Sequence, residues 1–155
     1  MTPSASVADA VLPEHPIDTA GPTGPLGRMG SVGSTGSPEA LCQGFAAAIA
    51  VGDLDAVLEL YAADAVVTLP RGREAAGHMA IRAAFEAALH RGLDLGVTAI
   101  GRPIVTGSLA CTTTTDAAGR VHTQVARREA DGSWRWIRDG SRLRESTDQQ
   151  PAVAP

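Results

Sequence analysis

The residues best suited to chemistry lie near the C-terminal end of the chain. His122, Gln124, Asp139 and Ser141 flank the turn signal Asp131-Gly132. A two-residue turn there builds a hairpin with Gln124 opposite Asp139 and Ala126 opposite Ile137. Side chains alternate along strands, so these four residues share one face. A carboxylate beside an imidazole can fix its tautomer and raise its basicity, which is acid/base machinery. The opposite face carries Val121, Val125, Trp134 and Trp136. By hydrophobic pattern that second face reads as core and the polar one as solvated, so spacing alone leaves the orientation open.

Other candidates are more scattered. Tyr61, at the expected end of a second helix, is a packed residue with its hydroxyl at a rim or a substrate contact. Asp64 reads as a turn or cap residue. Arg71 and Arg73 flank a glycine in a loop and could meet an anion. His78 falls in a helix first turn, and His90 in a last turn where a cation suits the dipole. The run Thr112 to Thr115 must point half its hydroxyls inward if it is a strand. All thirteen cations are Arg, so no lysine can serve as a base or form a Schiff base. The sequence has no Gly-rich phosphate loop, metal-ligand cluster or nucleophile elbow, and neither a metal nor a cofactor is expected.

The elements that must position these groups begin at Ser37-Pro38-Glu39, a helix start with a serine cap and proline in the first turn. Leu41, Phe45, Ala48 and Ile49 recur at helical spacing until Gly52, and Asp53 can cap a second helix. Leu54, Val57, Leu58 and Tyr61 line one face of that helix. Ala65 to Leu69 reads as a strand closed by Pro70. A third helix runs from about His78 to Arg91, with Ile81, Phe85, Ala88 and Leu89 on its apolar side. Four strands follow at Leu95–Val105, Ser108–Asp116, Arg120–Glu129 and Ser133–Leu143, broken at glycine-containing turns. Helices followed by a meander make an α+β arrangement.

Bulk properties restrict the class. The chain has 155 residues, 44% apolar and 19% charged, which suits one ordinary globular domain. Residues 37–144 form that domain. The segments 1–36, rich in Pro, Gly and Ser, and 145–155 read as disordered tails, because they bury too little surface to offset ordering entropy. A net charge of −4 without a basic block argues against nucleic acid as a partner. There is no membrane-spanning run of about 18 apolar residues and no secretory signal, so a cytoplasmic location is expected. Cys42 and Cys111 read as reduced, small hydrophobes.

Four separated pieces then fall into a familiar order: Gly-Asp-Leu-Asp-Ala-Val (52–57), Tyr-Ala-Ala-Asp-Ala-Val (61–66), Gly-His-Met-Ala-Ile-Arg-Ala-Ala-Phe (77–85) and Arg-Glu-Ala-Asp-Gly-Ser-Trp-Arg-Trp (128–136). Across residues 38–143 the chain resembles the nuclear-transport-factor-2-like superfamily, near its SnoaL-like and ketosteroid-isomerase-like branch. The resemblance implies a cone-shaped α+β barrel, with three N-terminal helices packed on a curved, mostly antiparallel sheet. It does not imply one reaction, because the superfamily includes isomerases, polyketide cyclases, epoxide hydrolases and proteins without catalysis.

Carried over by position, the isomerase site fails. The aspartate base falls at Leu69, the tyrosine donor near Phe45 and the protonated aspartic acid at Gln124, where only the amide can still donate. The resemblance does turn the His122, Gln124, Asp139 face toward the cavity and the Val121, Val125, Trp134, Trp136 face toward a homodimer partner. It implies a pocket for a small hydrophobic molecule, walled by Phe45, Ile49, Tyr61, Phe85, Ile137 and Ser141. The catalytic expectation is cofactor-independent cyclisation, isomerisation or epoxide opening on a polyketide-like carbonyl substrate. His122 is then the base, Asp139 its orienting acid and Gln124 the oxyanion donor. The alternative is a non-catalytic ligand-binding, dimerisation or accessory module.

Overall fold

The computed structural model describes residues 35–144, so the expected tails, apart from Thr35 and Gly36, lie outside the described residues. Helix α1 (Pro38–Val51) begins where Ser37 Oγ accepts the Ala40 amide at 3.3 Å, with proline in the first turn. It ends at Gly52, whose φ of 71° is left-handed and favours glycine. Asp53 then caps α2 (Leu54–Glu59), its Oδ1 accepting the Ala56 amide at 3.0 Å.

Tyr61 completes the helical stripe in sequence but opens β1 (Tyr61–Thr68) in the structure. Leu60 O accepts the Trp136 amide at 2.8 Å and Tyr61 pairs with Trp136, so sheet bonding overrides another helical turn. The first strand is therefore longer than expected at its N-terminal end. Asp64 lies within it and forms a two-pronged ion pair with Arg127, both contacts at 3.0 Å, rather than a cap.

A 3-10 turn (Pro70–Gly72), β2 (Glu74–Ala76) and α3 (Gly77–His90) follow. The remaining strands are β3 (Ala99–Ile100), β4 (Ile104–Thr106), β5 (Leu109–Thr115), β6 (Val121–Arg128) and β7 (Trp134–Asp139). The expected continuous strand from Leu95 is thus two short pieces, each paired with β5. Between them Gly101 lies so close to β5 that a Cβ there would fall 2.1 Å from Thr113 Oγ1. The sheet runs β2-β1-β7-β6-β5-β3 with β4 also on β5, antiparallel except between β1 and β7. It stays open, and α1 packs against β5 and β7 while α3 packs against β1. This is a cone-shaped α+β fold. No helix among the described residues is long and apolar enough to cross a membrane.

The hairpin that carries the candidate chemistry reaches its register by two compensating irregularities. The Glu129 amide donates to Ser133 O at 2.7 Å, so the loop is Ala130-Asp131-Gly132, one residue longer than expected. Near the loop Ala126 therefore faces Trp136, not Ile137. A bulge on β7, where Ile137 is the extra residue opposite the Val125–Ala126 step of β6, then restores the register, and Gln124 faces Asp139 as the sequence suggested.

The bulge also decides which way the tryptophans point. Trp134 and Trp136 turn to the same inner face as Ala126, Gln124 and Asp139, and both are buried. Val121 stays on the outer face, 60% exposed, and Val125 is half-buried there. The four residues assigned to one dimer face are thus divided between two faces. The outer face instead presents Ile104, Leu109, Cys111, Val121 and Val125, with Cys111 paired to both Ile104 and Val125.

Four rings fill the centre beneath the helices. Phe45 meets Phe85 at 6.2 Å and Trp136 at 5.7 Å between centroids, and Tyr61 meets the same two at 6.1 and 5.3 Å. All four are tilted pairs in the range where ring quadrupoles attract. Leu41, Val57, Leu60, Val67 and Ile81 complete the core around them.

Candidate functional site

Strand register assembles a polar patch on the inner face of β5, β6 and β7. Thr112 faces Gln124, which faces Asp139, and Thr114 faces His122 one step along. All five side chains are buried. Thr112 and Thr114 are the inward members of the threonine run, as alternation requires.

Asp139 is the most heavily engaged. Its Oδ2 accepts the Tyr61 hydroxyl at 2.9 Å, and its Oδ1 accepts the Arg142 amide at 3.2 Å. The Arg142 guanidinium folds back over the patch, donating from Nη2 to Thr114 Oγ1 and lying 4.0 Å from the Phe45 ring centroid. Its Nε is 3.7 Å from Asp139 Oδ2, an ion pair beyond hydrogen-bond length. Burial raises the Tyr61 hydroxyl well above its usual range, and the Asp139 charge adds to the rise.

His122 does not pair with Asp139, the partner the sequence suggested. Its Nε2 lies 3.1 Å from Asp116 Oδ2, on the neighbouring strand end. Asp116 Oδ1 accepts the Ala118 and Arg120 amides at 2.9 and 3.0 Å, and Arg120 Nε donates to Oδ2 at 2.7 Å. Burial opposes ionisation of Asp116 and is the largest single influence. The Arg120 amide, the His122 imidazole and the Arg120 guanidinium together outweigh it and hold the carboxyl well below the usual carboxylate range.

Gln124 is oriented by a directional chain. Trp136 Nε1 donates to Thr112 Oγ1 at 2.9 Å, so that hydroxyl sends its own proton to Gln124 Oε1 at 3.2 Å. The amide NH2 is thereby the free end. Burial pushes the thiol of Cys42, in α1, above its usual range. Three buried nitrogens on this patch have no hydrogen-bond partner among the described residues: His122 Nδ1, Gln124 Nε2 and Arg142 Nε. Buried polar groups are nearly always satisfied, so each of these three calls for an account.

The expected wall residues are distributed unevenly. Phe45, Tyr61 and Phe85 are fully buried against one another and Trp136, while Ile49 and Ile137 are half-buried at the core margin. Ser141 is past the strand end, where its Oγ accepts the Thr123 amide at 3.0 Å. His78 Nε2 donates to Tyr61 O at 2.9 Å and His90 Nδ1 to Glu86 O at 2.8 Å, so both histidines serve local structure. Among the described residues no cluster of three or more His, Cys, Asp or Glu is arranged to hold a metal ion.

Asp116 and Arg142 belong to the site although the sequence did not single them out. Alternation alone could have found Asp116, which is two positions beyond Thr114 on the same face and diagonal to His122 across the hairpin. Arg142 gave no such signal, because it lies past the last strand and returns only through the turn at Gly140-Ser141.

This geometry is that of a SnoaL-like domain, and the family's model matches residues 42–145. The chain belongs to the SnoaL-like family. No curated relative matches it. Among solved structures, a domain assigned as a calcium/calmodulin-dependent protein kinase type II association domain, from Thiobacillus denitrificans, superimposes with TM-score 0.54 at 21% identity, covering 69% of this chain and 94% of the other. A ketosteroid isomerase-like protein from Erwinia carotovora gives 0.51 at 23%, covering 66% and 89%. A protein assigned as a ketosteroid isomerase from Shewanella frigidimarina gives 0.51 at 20%, covering 64% and 89%. At these identities the likeness concerns the fold.

Proposed function

We propose that this SnoaL-like protein binds a small hydrophobic carbonyl compound, polyketide-like in character, against the inner face of its sheet and moves a proton on it. The observation that carries this reading is the pair of nitrogens on neighbouring inward positions of β6, His122 Nδ1 and Gln124 Nε2, that have no partner among the described residues. They supply a base and a hydrogen-bond donor side by side. In the proposed step His122 Nδ1 takes a proton from the carbon beside the carbonyl, and the C–H electron pair moves into a carbon–carbon double bond. The carbonyl oxygen becomes an enolate, held by the Gln124 amide. The protonated imidazole then returns its proton to another carbon, or the enolate carbon adds to a second carbonyl of the same substrate, whose C=O π pair becomes an alkoxide and takes the imidazolium proton as the ring closes. Cyclisation and isomerisation share the first proton transfer and differ only in what the enolate carbon does next. Asp139 contributes by holding Tyr61 and Arg142 at the edge of the patch.

A second reading has its own support. The four rings at the centre fill much of the space a substrate would use, which favours a ligand-binding or accessory module without turnover. In either reading a homodimer forms through the outer sheet face carrying Ile104, Leu109, Cys111, Val121 and Val125.

The test is exchange of the α-proton of hydrophobic 1,3-diketones in D2O, followed by NMR. Wild type should accelerate exchange, and H122A and Q124L should each lose about a hundredfold or more. Exchange that is absent in wild type, or unchanged in both folded variants, would remove the enzymatic reading and leave the binding module.

A further inference from the structure

We infer that Asp116 is the positioning residue of this site, fixing the neutral His122 ring as the Nε2–H tautomer so that Nδ1 presents a bare lone pair. The inference rests on the proposed proton-transfer reading for its purpose, but its structural content stands apart from it.

Each oxygen of Asp116 faces its own set of donors. Oδ1 is committed to the amides of Ala118 and Arg120, and Oδ2 receives Arg120 Nε and faces His122 Nε2. An ionised carboxylate can only accept. A neutral imidazole facing it must therefore carry its proton on Nε2, which leaves Nδ1 unprotonated. Nδ1 is the buried ring nitrogen without a partner among the described residues. Local backbone geometry holds Asp116 in place: it closes the three-residue loop to Arg120, with its amide donating to Arg120 O at 3.0 Å. The loop thus positions the carboxylate, and the carboxylate positions the ring.

The same geometry makes a sharp forecast for D116N. The Asn oxygen must remain with the two backbone amides, because an NH2 group cannot accept them. That turns the NH2 toward His122 Nε2, so Nε2 must become the acceptor and the proton moves to Nδ1. The base would be disabled, and the Arg120 Nε contact with Oδ2 would be lost with it.

The experiment is long-range proton–nitrogen NMR of the full chain labelled with 15N, without substrate, with H122A used to identify the ring. Wild type should show Nε2 protonated and Nδ1 bare, D116N should show the reverse, and D116E should restore the wild-type pattern. D116N should also lower α-proton exchange about a hundredfold. A wild-type ring protonated on Nδ1, or a folded D116N with an unchanged tautomer, would overturn the inference even if exchange depends on His122. If the tautomers behave as stated but no diketone exchanges, the positioning role stands and the proton-transfer reading fails. Should D116N not fold, the wild-type tautomer alone decides the matter.

Discussion

Tyr61 shows how far a single residue departs from its sequence context. The apolar spacing of α2 includes it as a helical residue, yet it starts β1 and donates its hydroxyl to Asp139 from full burial. Ionising it would place a second negative charge beside Asp139. Its hydroxyl therefore stays protonated above the ordinary value of 10.0, burial being the main cause. The folded form prefers the neutral group, so this contribution to stability is complete below about pH 10 and is lost as the pH rises further. The chain has one tyrosine, which makes the check direct: tyrosinate absorbance should appear only together with alkaline unfolding. A tyrosinate signal near pH 10 in the folded protein would contradict the burial of this hydroxyl. The sequence showed that His122, Gln124 and Asp139 share a face. It could not show that Asp139 is taken by Tyr61 and Arg142, because those contacts join distant parts of the chain.

At the scale of elements, caps and turns were legible because they are local chemistry. Ser37, Gly52 and Asp53 mark the helix boundaries they were expected to mark. The β6–β7 hairpin was legible in position but not in detail. A loop one residue longer and a bulge of one residue cancel at Gln124 and Asp139, and do not cancel at Trp134 and Trp136. No composition rule distinguishes that pair of irregularities from none, since the core's demand for the tryptophans selects the bulge. The segment after β7 is the other surprise. Arg142 is buried between Asp139, Thr114 and the Phe45 ring, so removing it leaves an uncompensated carboxylate in the interior. R142A should destabilise the protein by about 3 kcal/mol or more, as broken buried pairs generally do. Urea titration checks this, and the R142A/D139A double variant should lose less than the two single losses added together. Additive losses would mean that the two groups do not interact.

The whole molecule was the most legible level, because four separated sequence pieces agree on one fold and the family model covers residues 42–145. Function was the least legible, since a SnoaL-like cone is a container whose contents depend on a few inward positions. Where the outer face is concerned, exposed Ile104 and Val121 beside Leu109, Cys111 and Val125 form an apolar surface of the kind that marks an interface. Sedimentation should find a dimer at micromolar concentration, and V121E should shift it to monomer while leaving the helical signal intact. A wild-type monomer under those conditions would contradict the interface. The central claim is that the His122–Gln124 patch receives the carbonyl, and a crystal soaked with a hydrophobic 1,3-diketone tests it most directly. A ligand oxygen about 3 Å from Gln124 Nε2, with its α-carbon beside His122 Nδ1, is the expected result. A ligand found only elsewhere, such as in the cavity of about 340 Å³ between α3 and the Leu69–Glu74 turn, would contradict it.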